Sequence, residues 1–121
     1  MKIKTSEAKD KVLDYLVARC EGREVSVIGD SVLLWVGKDS NIDYEPSIAW
    51  AQGGPIIERE RISVWFERHD DVDSGLPIWF AQDGYAPAMQ GPTPLIAAMR
   101  CYVAGMLGDE VDVPNELTEA L

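Results

Sequence analysis

The stretch that most constrains the fold is Gly91-Pro92-Thr93-Pro94-Leu95-Ile96-Ala97-Ala98-Met99-Arg100-Cys101-Tyr102-Val103-Ala104. Thr93 is a good N-cap, and Pro94 suits the first helical position, where its missing N–H has no partner to lose. Leu95, Met99, Tyr102 and Met106 recur at three- and four-residue steps, and so do Ile96, Met99, Val103 and Leu107. Gly108 offers a left-handed C-cap, so the spacing predicts a helix over Pro94–Leu107. A helix this apolar must be covered, and the other elements are expected to pack around it.

Those elements follow from shorter signals. Thr5 or Ser6 caps a first helix with an apolar stripe of Val12, Leu13, Leu16, Val17 and Cys20, which Gly22 ends. Val25-Ser26-Val27-Ile28 and Val32-Leu33-Leu34-Trp35-Val36, separated by Gly29-Asp30-Ser31, read as a hairpin. Residues 37–54 form a long polar connection. Trp50-Ala51-Gln52-Gly53-Gly54-Pro55 has no regular period. It reads either as a rigid connector with Trp50 filling the core, or as a pocket wall or partner anchor. Ile56-Ile57-Glu58 is expected to be a short strand. Arg61 to Glu67 alternates cleanly and pairs with Ile78-Trp79-Phe80-Ala81 across an Asp70–Gly75 turn. Asp83 to Pro92 is a loop, and Asn115 to Leu121 a weak helical turn.

The fold class is therefore α+β: an antiparallel sheet of about four to five strands, with the N-terminal and C-terminal helices packed on one face. At 121 residues, 1–121 is expected to be a single domain, with the acidic tail 109–121 partly flexible.

Charge narrows the function classes. The net charge is −10, and the first 24 residues hold six of the eleven Lys and Arg; from Val25 onward five bases face sixteen acids. Such a surface repels phosphate, so nucleic acid is not an expected partner; a nucleic-acid reading would need a basic face built from Lys2, Lys4, Lys9, Lys11, Arg19 and Arg23. The sequence has no apolar run near the ~20 residues that span a bilayer and no signal-peptide pattern. A cytoplasmic protein with no membrane partner is expected. Cys20 and Cys101 lie on apolar helix faces, as buried free thiols do in that compartment.

Three motifs suggest chemistry, and each fails on its own terms. Gly29-Asp30-Ser31 resembles the nucleophile block of GDSL-type hydrolases, but the sole histidine, His69, is flanked by Arg68 and Asp70 at a hairpin end and makes a poor resting base. Asp39-Ser40-Asn41-Ile42-Asp43-Tyr44-Glu45 alternates oxygen ligands as a calcium loop does, yet Tyr44 stands where glycine is needed and Trp50 where a bidentate Glu is needed. Asp71 and Asp73 offer only a partial set. Trp35, Trp65, Phe66, Trp79 and Phe80 lie on predicted strands and offer a stacking surface for bases, with only Arg59, Arg61 and Arg68 as nearby cations. The helix–strands–helix order is shared with double-stranded-RNA-binding domains, whose second helix begins with phosphate-gripping lysines; here it begins Thr93-Pro94-Leu95. No cofactor and no metal is expected.

Trp50-Ala51-Gln52-Gly53-Gly54-Pro55-Ile56-Ile57-Glu58 and Gly91-Pro92-Thr93-Pro94-Leu95-Ile96-Ala97-Ala98-Met99-Arg100 carry a family likeness. With Met1-Lys2-Ile3-Lys4-Thr5 and Gly108-Asp109-Glu110-Val111-Asp112-Val113-Pro114, the chain resembles the NinX-like family of phage and prophage proteins. The resemblance implies a small phage or prophage accessory protein and brings no catalytic residue with it. It does direct attention to two segments, which are expected to meet in space. Trp50, Gln52, Gly53, Gly54, Glu58, Thr93 and Arg100 then form a candidate binding groove, with Glu58 and Arg100 alternatively a structural ion pair. A non-enzymatic module with a protein partner is the leading expectation. A small-molecule-binding protein or weak enzyme using the Trp50–Pro55 groove is the alternative, and a nucleic-acid-associated protein the second.

Overall fold

The computed structural model describes residues 1–67, 78–84 and 86–118. His69, Asp71, Asp73, the Asp70–Gly75 turn and the end of the tail lie outside the described residues. The order is β1 (Lys2–Lys4), a 3-10 turn (Thr5–Glu7), α1 (Asp10–Cys20), β2 (Val25–Ile28), β3 (Ser31–Trp35) and β4 (Asn41–Asp43). Then come α2 (Trp50–Glu60), β5 (Ser63–Phe66), β6 (Trp79–Gln82), β7 (Met89–Gly91), α3 (Pro94–Leu107), β8 (Glu110–Asp112) and α4 (Asn115–Thr118).

The architecture is α+β with antiparallel pairing throughout the described strands. The expected single sheet is three small ones: β1–β8, β2–β3–β4 and β5–β6–β7. The physical reason is the central helix. α3 packs on β5, β6 and β7 and also on α1, while α1 packs on β3. A helix pair covered from both directions separates the two hairpin sheets, which therefore cannot join edge to edge. Ala97, Ala98, Met99 and Val103 are fully buried, with Leu95, Cys101 and Tyr102 nearly so. Met106, expected on the apolar face, is exposed beyond the packed part of the helix. Thr93 caps α3 as expected, its Oγ1 accepting from Ile96 N at 3.1 Å.

The α1 stripe also lands inside: Val12, Leu13, Leu16 and Val17 are buried. The helix ends as a Schellman motif, with Gly22 at φ +66°, its N–H donating to Arg19 O and the Arg23 N–H to Ala18 O. Its start differs from expectation. Thr5 is not the cap; it sits buried in the 3-10 turn, its Oγ1 donating to Gly108 O at 2.6 Å and its N–H to Asp109 O at 2.8 Å. That pair stitches the head of the chain to the end of α3. β1 and β8 extend the seam in the register Lys2↔Asp112 and Lys4↔Glu110. Val111, Val113 and Leu117 of the acidic tail segment are buried.

Candidate functional site

The segment expected to be a loop followed by a short strand is helix α2. Its chain direction is set before it begins. Ile48 and Ala49 N–H groups both donate to Glu45 O, and Gln52 and Gly53 N–H groups to Ala49 O, so a turn leads directly into the helix. Gln52 fixes the turn from within: its Oε1 accepts from Glu45 N at 2.7 Å and its Nε2 donates to Asp43 O at 2.8 Å. Gly53 lets α2 approach closely. A Cβ there would collide with the Pro46 carbonyl oxygen and lie 2.6 Å from Leu95 Cδ2. The two segments singled out by likeness therefore meet, at Gly53 and Leu95. Gly91 has a matching role, since a Cβ would lie 2.6 Å from Ala97 N and block β7 from reaching α3.

Pro55 lies inside α2, where it removes one backbone hydrogen bond, and Gly54 before it relieves the clash that a Cβ would make with the proline ring. Local preference opposes this helix, and tertiary bonds impose it. At its far end Arg61 takes a left-handed conformation (φ +54°), and Ile62 N–H donates to Ile57 O at 3.1 Å as Ile62 turns into the core.

Arg59 then locks α2 to both other long helices. Its Nη1 and Nη2 donate to the two Glu21 carboxylate oxygens at 2.9 and 2.7 Å, and its Nε donates to Glu60 at 2.8 Å. The Tyr102 hydroxyl donates to Glu21 Oε2 at 2.7 Å, and the Arg59 guanidinium lies 5.8 Å from the Tyr102 ring centre. The Arg59 hydrogen bonds hold the Glu21 carboxyl below the usual range, while burial and the bond to Glu21 push the Tyr102 hydroxyl up. Glu21 is thus ionised with its lone pairs engaged, and Tyr102 stays protonated. This arrangement braces helices; it holds no free base.

A second polar anchor lies under the turn that precedes α2. Asp14 of α1 is buried, and its Oδ1 accepts from Ser47 N at 2.9 Å. Burial pushes its carboxyl up to about 6, against the lowering effect of Ser47. The Ser47 hydroxyl is buried beside the same carboxylate and favours its charge, though it lies outside hydrogen-bond geometry. Tyr44, next to this turn, is pushed up to about 12 by burial.

Among the seven candidate groove residues, the structure assigns bracing roles to several. Gln52 clamps the preceding turn, Gly53 provides clearance and Thr93 caps α3. Arg100 donates from Nε to Ala8 O at 2.7 Å and from Nη1 to Gln90 O at 2.9 Å, tying α3 to the start of α1 and to β7. The expected Glu58–Arg100 ion pair is absent: Arg100 is spent on carbonyls and Glu58 faces solvent, while Arg59 makes the ion pair instead. Gly54 lies beneath Trp50, 3.8 Å from Cε3 to a built Cβ. Trp50 does not fill the core. It is 57% exposed, with Ile48 beside it in sequence at 65%, and Ile56 takes the buried position instead.

The remaining motifs also find places. Gly29 and Asp30 form the turn between β2 and β3; Lys11 Nζ donates to Gly29 O at 3.0 Å and pairs with Asp30 at 3.8 Å. Asn41–Asp43, read for calcium ligands, is strand β4 hydrogen-bonded to β3. No group of three or more His, Cys, Asp or Glu among the described residues is placed to hold a metal ion. Trp65 stacks on Phe80 (5.7 Å, 12° between planes), and Phe66 packs on Trp79 at 5.3 Å. Cys20 and Cys101 are free, and burial pushes each thiol up to about 11. Glu21, Arg59 and Asp14 were not legible as partners, because each bond joins residues more than thirty positions apart. The polar Asp14 within the apolar α1 stripe was the one available signal.

No helix of the described residues is long and apolar enough to cross a membrane. No curated protein matches the chain in sequence. The family model described as bacteriophage P22 NinX matches residues 4–106, which takes in both likeness segments, the α2 turn and the whole of the Glu21–Arg59–Tyr102 lock. The chain belongs to the NinX family of bacteriophage P22.

Proposed function

We propose that this phage-family protein is a non-enzymatic interaction module that docks a protein partner on the N-terminal end of α2. One observation carries the reading: Trp50 and Ile48 present large apolar side chains to solvent at 57% and 65% exposure, on a turn braced by hydrogen bonds from several sides. Gln52, Gly53 and the Asp14–Ser47 bond all fix that turn. An exposed tryptophan on a fixed backbone loses little main-chain entropy when a partner covers it, which suits an interface anchor. Ile42 of β4, the strand whose Asp43 carbonyl accepts from Gln52, is a further exposed apolar residue at 46%.

The test is capture of host-lysate proteins by the tagged chain, with and without nuclease, beside Trp50→Ala. A stoichiometric protein that survives nuclease and is lost with Trp50→Ala is expected. Because Trp50 is exposed, the variant should unfold within about 0.5 kcal/mol of the parent. Capture that is unchanged in the variant, or that vanishes with nuclease, would defeat the proposal.

A further inference from the structure

An open groove of about 400 Å³ lies away from α2, between the end of α1 and the β2–β3 hairpin, lined by Tyr15, Arg19, Arg23, Glu24, Ser26 and Trp35, with Val25 at its side. We infer that it binds a nucleoside monophosphate, with the base on Trp35 and the phosphate on Arg19 and Arg23.

The indole is presented and oriented. Trp35 is 42% exposed at the end of β3, and its Nε1 donates to Ser26 Oγ at 2.9 Å, which fixes the ring plane. An exposed, held indole is a stacking surface for any nucleobase. The two arginines meet the phosphate. Arg19 uses Nη1 on Asp112 O at 3.2 Å and keeps its other nitrogens; Arg23 makes no ion pair among the described residues and lies in the open after the Schellman turn. A planar guanidinium fork matches phosphate oxygens in two-point geometry. Glu24 accepts only, and so suits a base that offers an amino group.

Charge selects a mononucleotide over a strand. The groove's two arginines outweigh Glu24, but the whole chain carries −10. That field opposes a polyanion at long range far more than a single phosphate group. The volume falls in the range of small-ligand sites.

The experiment is a titration of the full chain with adenosine 5′-monophosphate at low salt, read on the Trp35 indole N–H resonance, assigned with Trp35→Phe. A saturable shift is expected, with adenosine alone and inorganic phosphate alone each at least about tenfold weaker. Arg23→Gln should weaken binding about tenfold without changing the melting temperature, and Trp35→Ala should weaken it by about as much at a temperature where that variant is still folded. Trp50→Ala should bind the nucleotide unchanged, which separates this site from the protein-docking surface. No saturable shift, equal binding of phosphate alone, or full binding by both site variants would overturn the inference. A single-stranded oligonucleotide that binds where the mononucleotide does not would also overturn it, in favour of a strand-binding surface.

Discussion

α3 and α2 are held in different proportions by packing and by polar bonds. α3 is held by apolar contact on nearly every side, with Met99, Ala97, Ala98 and Val103 excluded from water. α2 buries only Gly53 and Ile56, and is fixed instead by polar bonds: Gln52 to residues 43 and 45, Ser47 to Asp14, and Arg59 to Glu21. Apolar packing is insensitive to pH and leaves little surface free, Met106 near the end of α3 apart. Polar anchoring is sensitive to pH and leaves the outer face, Trp50 included, for another use. The difference marks α3 as the part that makes the fold and α2 as the part it displays.

Substitutions can break that comparison. Met99→Ala should cost about 2–5 kcal/mol of global stability by denaturant unfolding, since it leaves a cavity in the helix that everything packs on. A cost below about 1 kcal/mol would remove α3 from the centre.

Asp14→Asn should act next, and with the opposite sign. The folded carboxyl titrates near 6 and the unfolded one near 3.8, so the native state holds its proton more tightly between those values. The charge therefore penalises the fold above about pH 6, and stability contributed by this group rises as pH falls toward 4. Asparagine keeps the acceptor for Ser47 N–H without the charge. It should stabilise the protein by about 2–3 kcal/mol at pH 7.5, with the gain gone by pH 4. Parallel pH profiles for the two proteins would contradict the assignment.

Gly53→Ala should cost about 1–3 kcal/mol through the clash with the Pro46 carbonyl and Leu95, and should weaken partner capture together with stability. Pro55→Ala sharpens the comparison from the other side. Pro55 is exposed, and restoring the missing helix bond should stabilise by about 1 kcal/mol or somewhat more. A loss would mean that the proline sets the angle at which α2 is presented.

The same contrast explains what was legible in the sequence. α3, the α1 stripe and the two hairpins carry their own periodicity, because their side chains are chosen by the core they enter. α2 carries none: Gly53, Gly54 and Pro55 are poor helix formers, and the bonds that impose the helix come from α1, α3 and β4. β4, β7 and β8 are three residues long, too short for alternation to register. Several of the candidate residues also have structural bonds that the sequence does not announce. Gln52, Thr93 and Arg100 direct their polar atoms at backbone groups, a use that residue type alone does not distinguish from ligand binding.

The pairing of β1 with β8 sets the timing of folding during synthesis. Lys2 leaves the ribosome well before its ladder partner Asp112. Until then Thr5 has neither the Gly108 nor the Asp109 carbonyl, and the seam cannot close. The hairpins and α1 have local partners and can form early, whereas the seam must await β8. A message cut short before β8 would therefore yield a product whose β1 has no ladder partner and whose flank stays open.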